Sequence, residues 1–535
     1  MKQAHTGEPD TTMVQGRPAS NHARRSGSIH HMRILFIYPN LNAQIGFNYG
    51  IAYLSAVLKQ AGHTTGLLNV NEQLGYPFDL DRIASDALAF APDLIAFSLV
   101  TNQVAAALQM AAEIKKHCAA PIVCGGIHPT VAPADMLATG LFDVVFIGES
   151  EYALREYVQA LATGADISSI ANICFMQDGA VVKNAVSPFI PLEDLPPKDY
   201  GIFDFQKMID AKNGWVGLMA SRGCPFRCSY CFNHQIVELY CHDLNVPQGR
   251  LKYVRHHPVQ DAIGEITYLL ANYKNISMFI FDDDLFTFDR RYLQQFCAEY
   301  KKITTVPFTV NAHVQVFDAA MAASLRASGC TIVKFGIESG CERVRREVMN
   351  RHMKNDAIKK ALAIAEEAGL HSSTFVMIGL PTETREEVLE TIQLLADSRP
   401  GRFRWSVFFP FPNTKAHEIS LHNGCIDFDK MNRLSNFTDE SCLNFGPAQN
   451  LWLEKAARVF PWYVNARSGL ACAGRYQELV AEIEGLSPGE WLAVKDSLRA
   501  RDEEESRRQL ALGNLHYAIR FNRFMGVRSD WTENE

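Results

Sequence analysis

At 535 residues the chain has room for three or four domains of about 150 residues each, which excludes a lone small binding module. Its 47% hydrophobic, 21% charged and 10% aromatic residues exclude disorder, collagen-like repeats and coiled coil for the bulk of the chain. The 52 Lys and Arg against 59 Asp and Glu leave a net charge of −7, so electrostatics gives no reason to expect nucleic acid as a partner. No apolar run reaches the roughly 20 residues of a membrane span, because the run Ala87 to Val100 is broken by Pro92 and Asp93. The 13 cysteines, with no apolar signal segment before them, do not fit a secreted disulfide framework; a cytoplasmic protein with some thiols as ligands is expected.

Residues 1–31 are polar and aperiodic and read as a disordered leader or an over-called start. From 32 to 165, five short apolar runs alternate with helical patterns: Ile34 to Tyr38, Thr65 to Asn69, Leu94 to Leu99, Ile122 to Cys124 and Val144 to Ile147. Runs apolar on both faces predict a doubly wound, Rossmann-like parallel sheet covered by helices. Such sheets bind ligands beyond the carboxyl ends of their strands, so Ser98, Thr101, Gly125, Gly126, Gly148 and Glu149 are the positions to watch. Paired glycines let backbone approach a large flat ligand, although turn chemistry explains them equally well. There is no G-x-G-x-x-G after the first run, so a nicotinamide dinucleotide fold is not supported.

The stretch 166–213 reads as a linker: a small hairpin at Asp178-Gly179, then Pro188, Pro191, Pro196 and Pro197. Next comes Cys224-x3-Cys228-x2-Cys231, directly after the strand-like Val216 to Ala220. Three thiolates at this spacing wrap one tight loop around a [4Fe-4S] cluster, leaving the fourth iron open as a reaction site. A structural zinc site needs four ligands, and Cys241 falls outside the loop.

Beyond the motif, βα units recur at Ser277 to Phe281, Phe308 to Asn311, Thr331 to Phe335, Thr374 to Ile378 and Arg404 to Phe409. With the strand at 216–220 they predict a partial (β/α)6 TIM-like barrel over 214–415, whose reactive groups lie just after its strands. Those places hold Asp282-Asp283-Asp284, then Asn311 and His313, then Glu338-Ser339, then Gly379-Leu380-Pro381. A solvated acidic turn explains the aspartates without a ligand, and satisfied polar residues explain Asn311 and His313. Residues 416–535 are expected to form a helical region covering the substrate side, with helices at Leu451 to Asn465 and Tyr476 to Ile483; Trp452, Trp462 and Tyr463 read as core or pocket residues.

The three-cysteine spacing, with the aromatic Tyr230 before its last member, resembles the signature of the radical S-adenosylmethionine superfamily. The segments Gly125-Gly126-Ile127-His128-Pro129-Thr130 and Gly148-Glu149-Ser150-Glu151 resemble the cobalamin-binding domain that precedes the barrel in many of its members. The D-x-H-x-x-G motif is absent, since Leu41 and Ala43 stand at its Asp and His places, so cobalamin is expected without a histidine ligand from that motif. The resemblance implies that Cys224, Cys228 and Cys231 hold the cluster, and that S-adenosylmethionine meets Tyr230, Asp282, Asp283, Glu338, Ser339, Gly379 and Pro381. It implies that Glu338 accepts from the ribose hydroxyls, while Arg351 is either a contact of the cofactor carboxylate or a surface arginine. Cobalamin would meet Ser98, Thr101, Gly125, Gly126, Gly148 and Glu149. The implied partners are a small-molecule substrate and an electron donor such as flavodoxin or ferredoxin. The implied activity is methylation of an unactivated carbon through cobalamin. The rivals are a cobalamin-dependent cyclase, rearrangement or oxidation without methyl transfer, and a non-enzymatic cobalamin or iron–sulfur sensor. A tRNA methylthiotransferase is disfavoured, because 33–165 offers only Cys118 and Cys124 where three cluster cysteines are needed.

Overall fold

The computed structural model describes residues 31–434 and 440–534. The leader expectation for 1–31 therefore lies, apart from His31, outside the described residues. The first sheet begins with β1 (Arg33–Pro39), whose Ile34, Leu35, Phe36 and Ile37 are all buried. A strand with no polar face is stable only with cover on both sides. It is joined by β2 (Thr64–Val70), β3 (Leu94–Ser98), β4 (Ile122–Gly125) and β5 (Val144–Phe146), all parallel, in the order β2-β1-β3-β4-β5. The winding reverses between β1 and β3, which opens a crevice over their carboxyl ends. Asn48 ties that crevice together: its side chain caps the helix Tyr49–Gln60 by accepting from the Ile51 amide at 2.9 Å and donates to Ser98 Oγ at 3.0 Å.

The predicted hairpin is present as β6 (Ile173–Gln177) and β7 (Ala180–Lys183), with Asp178 and Gly179 both at positive φ. It extends the first sheet, because β6 pairs antiparallel with β5 and buries Ile173, Cys174 and Phe175. Sequence reading placed it in the connector, since nothing local to a hairpin says which sheet its edge will join.

The second sheet contains β8 (Trp215–Leu218). The short antiparallel pair β9 (Ser221–Arg222) and β10 (Arg255–His256) stands apart from it. After β8 come β11 (Met278–Phe281), β12 (Phe308–Ala312), β13 (Cys330–Glu338), β14 (His371–Ile378) and β15 (Arg402–Val407), parallel and adjacent in chain order. These are the six expected units. The far edge departs from a purely helical C-terminal region: β16 (Tyr517–Ile519) and β17 (Met525–Arg528) add antiparallel to β15. Strands of three and four residues are too short for a period to register.

β8 stays at the other edge of the sheet, so the barrel is open there, and the first domain leans on that side. Tyr49 donates to Asp282 Oδ2 at 2.8 Å, Tyr53 pairs with His257 Nε2 at 2.8 Å, and Lys198 Nζ meets both Glu265 oxygens at 2.7 Å. Inside the barrel, Lys334, Gly336 and Glu338 of β13, Phe375 and Met377 of β14, and Arg404 and Ser406 of β15 keep partial access, while their alternating neighbours are buried against helices. Trp452, Trp462 and Tyr463 are core residues; the indoles of Trp452 and Trp462 donate to Glu484 and Asp502. Among the described residues no helix is long and apolar enough to cross a membrane.

Candidate active site

The cluster loop is fixed from below before its first cysteine. Ala220 N reaches both oxygens of Asp283 at 3.2 Å, and the Ser221 hydroxyl donates to the same carboxylate. Burial pushes the Asp283 acid up to about 7 in spite of these donors. At Gly223, with φ 91°, an added Cβ would run into the Tyr253 carbonyl oxygen, so only glycine passes under that segment. Two segments then grip the middle of the loop by three hydrogen bonds: Ser229 N donates to Met349 O at 3.0 Å, its hydroxyl donates to Val348 O, and Ala416 N donates to Ser229 O at 3.0 Å. Cys231 precedes the helix Phe232–Asp243.

Cys228 is buried, and its sulfur accepts from Arg351 Nη1 at 3.2 Å. Arg351 also donates to Tyr230 OH at 3.5 Å and to the Gly336 carbonyl, while its Nε has no partner. It is thus a half-buried residue packed against the loop and not a free surface arginine. Burial pushes the Cys224 and Cys231 thiols up to about 12, and both feel the charge of Cys228. Once deprotonated, the three cysteine sulfurs are the soft donors that an iron–sulfur cluster takes, and the guanidinium on Cys228 offsets part of their negative charge. Three sulfurs are one ligand short of a closed structural zinc site and match the donor number of a cluster with one open iron.

Around the mouth, the structure brings some expected residues together and turns others away. Glu338 ends β13 at φ 64°, beside a register shift, a conformation costly for a side-chain-bearing residue. Burial raises its acid while Arg351 and Tyr230 oppose the rise, so Glu338, Tyr230 and Arg351 form one group above Cys228. Gly379, at φ 74°, has Leu453, Val407 and Phe445 at ordinary contact distance from its Cβ position. Asp282 is exposed and bonded to Tyr49, and Asp284 lies beside Cys224. By contrast, the Asp283 carboxylate is turned under the loop and away from the mouth. Ser339 is buried against Thr391 and the Cys341 amide. Pro381 is buried. Glu383 folds back to accept from Gly379 N at 2.7 Å and Leu380 N at 3.0 Å. His313 stacks on Phe226 at 3.9 Å, and burial drives its pKa down to about 3, so the ring is neutral. Cys224, Asp282, Asp284, His313, Glu338 and Arg351 line a cavity of about 330 Å³, which Asp283, Ser339, Gly379 and Pro381 do not reach.

A second cavity, of about 490 Å³, lies over the carboxyl ends of β1, β3 and β4, between the first sheet and the cluster loop. It is lined by Ser98, Gly125, Gly126, Gly148 and Glu149 on one side and by Met219, Ser221 and Gly223 on the other. Gly126, at φ 106°, is a built cradle: a Cβ there would meet the Leu99 carbonyl oxygen at 2.7 Å. Thr101 is engaged by His128 Nδ1 at 3.3 Å. Two expectations change here. The Cβ position of Gly148 is filled by the ring of Tyr240, so its glycine serves the contact with the helix after the cluster loop. The Glu149 carboxylate is taken by Arg222 at 3.1 Å and by Arg255 at 2.6 and 3.0 Å; burial raises its acid, but these arginines outweigh burial and hold it low. No histidine is aimed into this cavity as a ligand among the residues lining it. The glycine cradle and the cavity at the switch point fit a corrinoid held without a protein histidine. Asp284 lines both cavities, which therefore meet at the cluster loop.

The sequence model of the Radical SAM superfamily matches residues 218–395, and that of the B12 binding domain matches residues 43–158. An uncharacterized methyltransferase of Pyrococcus horikoshii is 26% identical over 430 residues, covering 76% of this chain and 89% of its own. The anaerobic magnesium-protoporphyrin IX monomethyl ester cyclase of Rubrivivax gelatinosus is 25% identical over 454 residues, covering 80% and 77%. Among solved structures, the cobalamin-dependent S-adenosylmethionine radical enzyme OxsB, with aqua-cobalamin and S-adenosylmethionine bound, superposes with a TM-score of 0.63 at 13% identity, covering 88% of this chain and 76% of that one.

Proposed function

Because the chain joins a B12-binding domain to a radical SAM domain, it belongs with the cobalamin-dependent radical S-adenosylmethionine proteins, and we propose that it is an enzyme methylating an unactivated carbon of a small molecule. The observation that carries this reading is the meeting of the two cavities at Asp284, one beside Cys224 and the other over the glycine cradle. Bound there, the cluster would supply the electron that cleaves S-adenosylmethionine to methionine and a 5′-deoxyadenosyl radical, which would take the hydrogen atom from the substrate carbon as 5′-deoxyadenosine forms, and cobalamin would pass on to that carbon a methyl group received from a second S-adenosylmethionine. Cys224, Cys228 and Cys231 hold the cluster through three sulfurs. Arg351 balances the charge of those sulfurs and orients Glu338 and Tyr230. Glu338, fixed by its strained backbone, accepts from vicinal hydroxyls. Gly126 lets the backbone lie flat against the corrinoid. Leu453 and Phe445 of the C-terminal region pack against Gly379, just after β14.

The test uses anaerobically reduced protein, methyl-labelled S-adenosylmethionine and metabolite extract. We expect 5′-deoxyadenosine together with a labelled product, and neither from Cys228→Ala. The relatedness to anaerobic cyclases favours a second reading, ring closure without methyl transfer, which predicts 5′-deoxyadenosine with an unlabelled product.

A further inference from the structure

The cavity beside Cys224 has a floor whose charge the cluster and S-adenosylmethionine do not explain. Lys334 lies on β13 four residues before Glu338, about 13 Å deeper along the strand, and its side chain is on the same inner face. Arg404 occupies the inner face of β15 and lines the same cavity. Between them stands Phe375 of β14, and the Arg404 guanidinium lies 4.9 Å from the Phe524 ring and 5.8 Å from the Phe375 ring. Among the described residues, neither Lys334 nor Arg404 has a hydrogen bond or an ion pair from its side chain. Lys212 and Arg402 face the same space: both push against the charge of Lys334, and Arg402 bonds Ser373 Oγ at 3.3 Å. The one carboxylate that offsets them is Asp282, itself held by Tyr49. Burial and these cations together lower the Lys334 ammonium to about 8.

Half-buried cations that outnumber the carboxylates beside them are unfavourable unless something else supplies the balancing charge. A pair of cations separated by an aromatic wall suits a ligand that has an anionic end and a flat or apolar body. The carboxylates already at the mouth, Glu338 and Asp284, are engaged there, Glu338 with Arg351 and Tyr230, Asp284 with Asn233. We propose that the floor of the barrel is an anion subsite, in which Lys334 and Arg404 hold a carboxylate or phosphate group of the substrate and so set which carbon faces the cleaved cofactor. This rests on the radical S-adenosylmethionine reading for what happens above the subsite, but the subsite itself is a property of the folded barrel.

The same anion chemistry has a second source, the methionine carboxylate of S-adenosylmethionine, and the experiment separates the two. Inorganic phosphate is titrated calorimetrically into the anaerobically prepared full chain at constant ionic strength, with and without saturating S-adenosylmethionine. We expect one phosphate per chain, affinity reduced at least tenfold in Lys334→Met and in Arg404→Met, and retained within threefold in Lys334→Arg, whose fold and iron content control for misfolding. Phosphate binding should survive saturation with S-adenosylmethionine. Absence of binding, or binding unchanged in both Met variants, overturns the proposal. So does competition by S-adenosylmethionine, which would assign the cations to the cofactor. Failure of the radical reading shows separately, as protein that binds phosphate but holds no iron.

Discussion

Cys228 is the buried member of the three thiols and receives the Arg351 guanidinium on its sulfur, so its loss removes both a ligand and the partner of a half-buried cation. Cys228→Ala is expected to drop iron from about four per chain to near none after anaerobic reconstitution and to abolish 5′-deoxyadenosine. Iron assay alongside far-ultraviolet dichroism separates this from unfolding. A different kind of test comes from Glu383 and Glu387. Burial raises the Glu383 acid from its ordinary 4.5 to about 8, so the folded state holds this proton more tightly than the unfolded chain. Its contribution to stability therefore declines as pH rises from about 4.5 to about 8 and is level above that. Glu387 runs the other way: hydrogen bonds from Arg343 hold it down to about 2, giving stability that is present above about 4.5 and lost as pH falls toward 2. Urea midpoints at pH 5 and pH 8.5 should converge in Glu383→Gln relative to the parent chain; parallel shifts would contradict the assignment. The cysteines were legible in sequence because their partners are each other, within eight residues. Asp283, Ser339 and Glu149 were read as ligand contacts and found engaged by Ser221, Thr391, and Arg222 with Arg255, in segments from about fifty to a hundred residues away, which no local pattern can reveal.

At the scale of elements, the β9–β10 pair is clamped to the first domain by two carboxylates: Glu149 meets both Arg222 and Arg255, and Glu151 meets Arg222 at 2.7 Å. Glu149→Gln leaves Arg222 paired with Glu151 but takes the carboxylate from Arg255 in a half-buried setting, at a cost of about 3 kcal/mol. A lower thermal midpoint, with faster proteolysis of the connector after the hairpin, residues 184–213, is the expected result, and an unchanged midpoint would show that the clamp is dispensable. Gly126→Ala sets a Cβ against the Leu99 carbonyl at a φ of 106°, so cobalt content should fall while iron content holds. Both strand sets of the core were readable from apolar runs and their βα spacing. The β16–β17 edge was not, because the strands are short and follow a strongly charged helix, Leu498–Ala511.

Over the whole molecule, the open side of the barrel at β8 decides the architecture. The first domain is packed there through Tyr49, Tyr53 and Lys198, which brings the crevice over β1 and β3 against the cluster loop. Sequence alone supplied two domains in series, each with its own ligand expectation; that the two cavities share a wall follows from long-range packing. The central claim is that one chain holds an iron–sulfur cluster and a corrinoid side by side. Metal content and absorbance of the anaerobically prepared protein test it most directly. The account predicts about four irons and one cobalt per chain, with cobalt alone lost in Gly126→Ala; iron with no cobalt, after preparation with excess cobalamin, would contradict it.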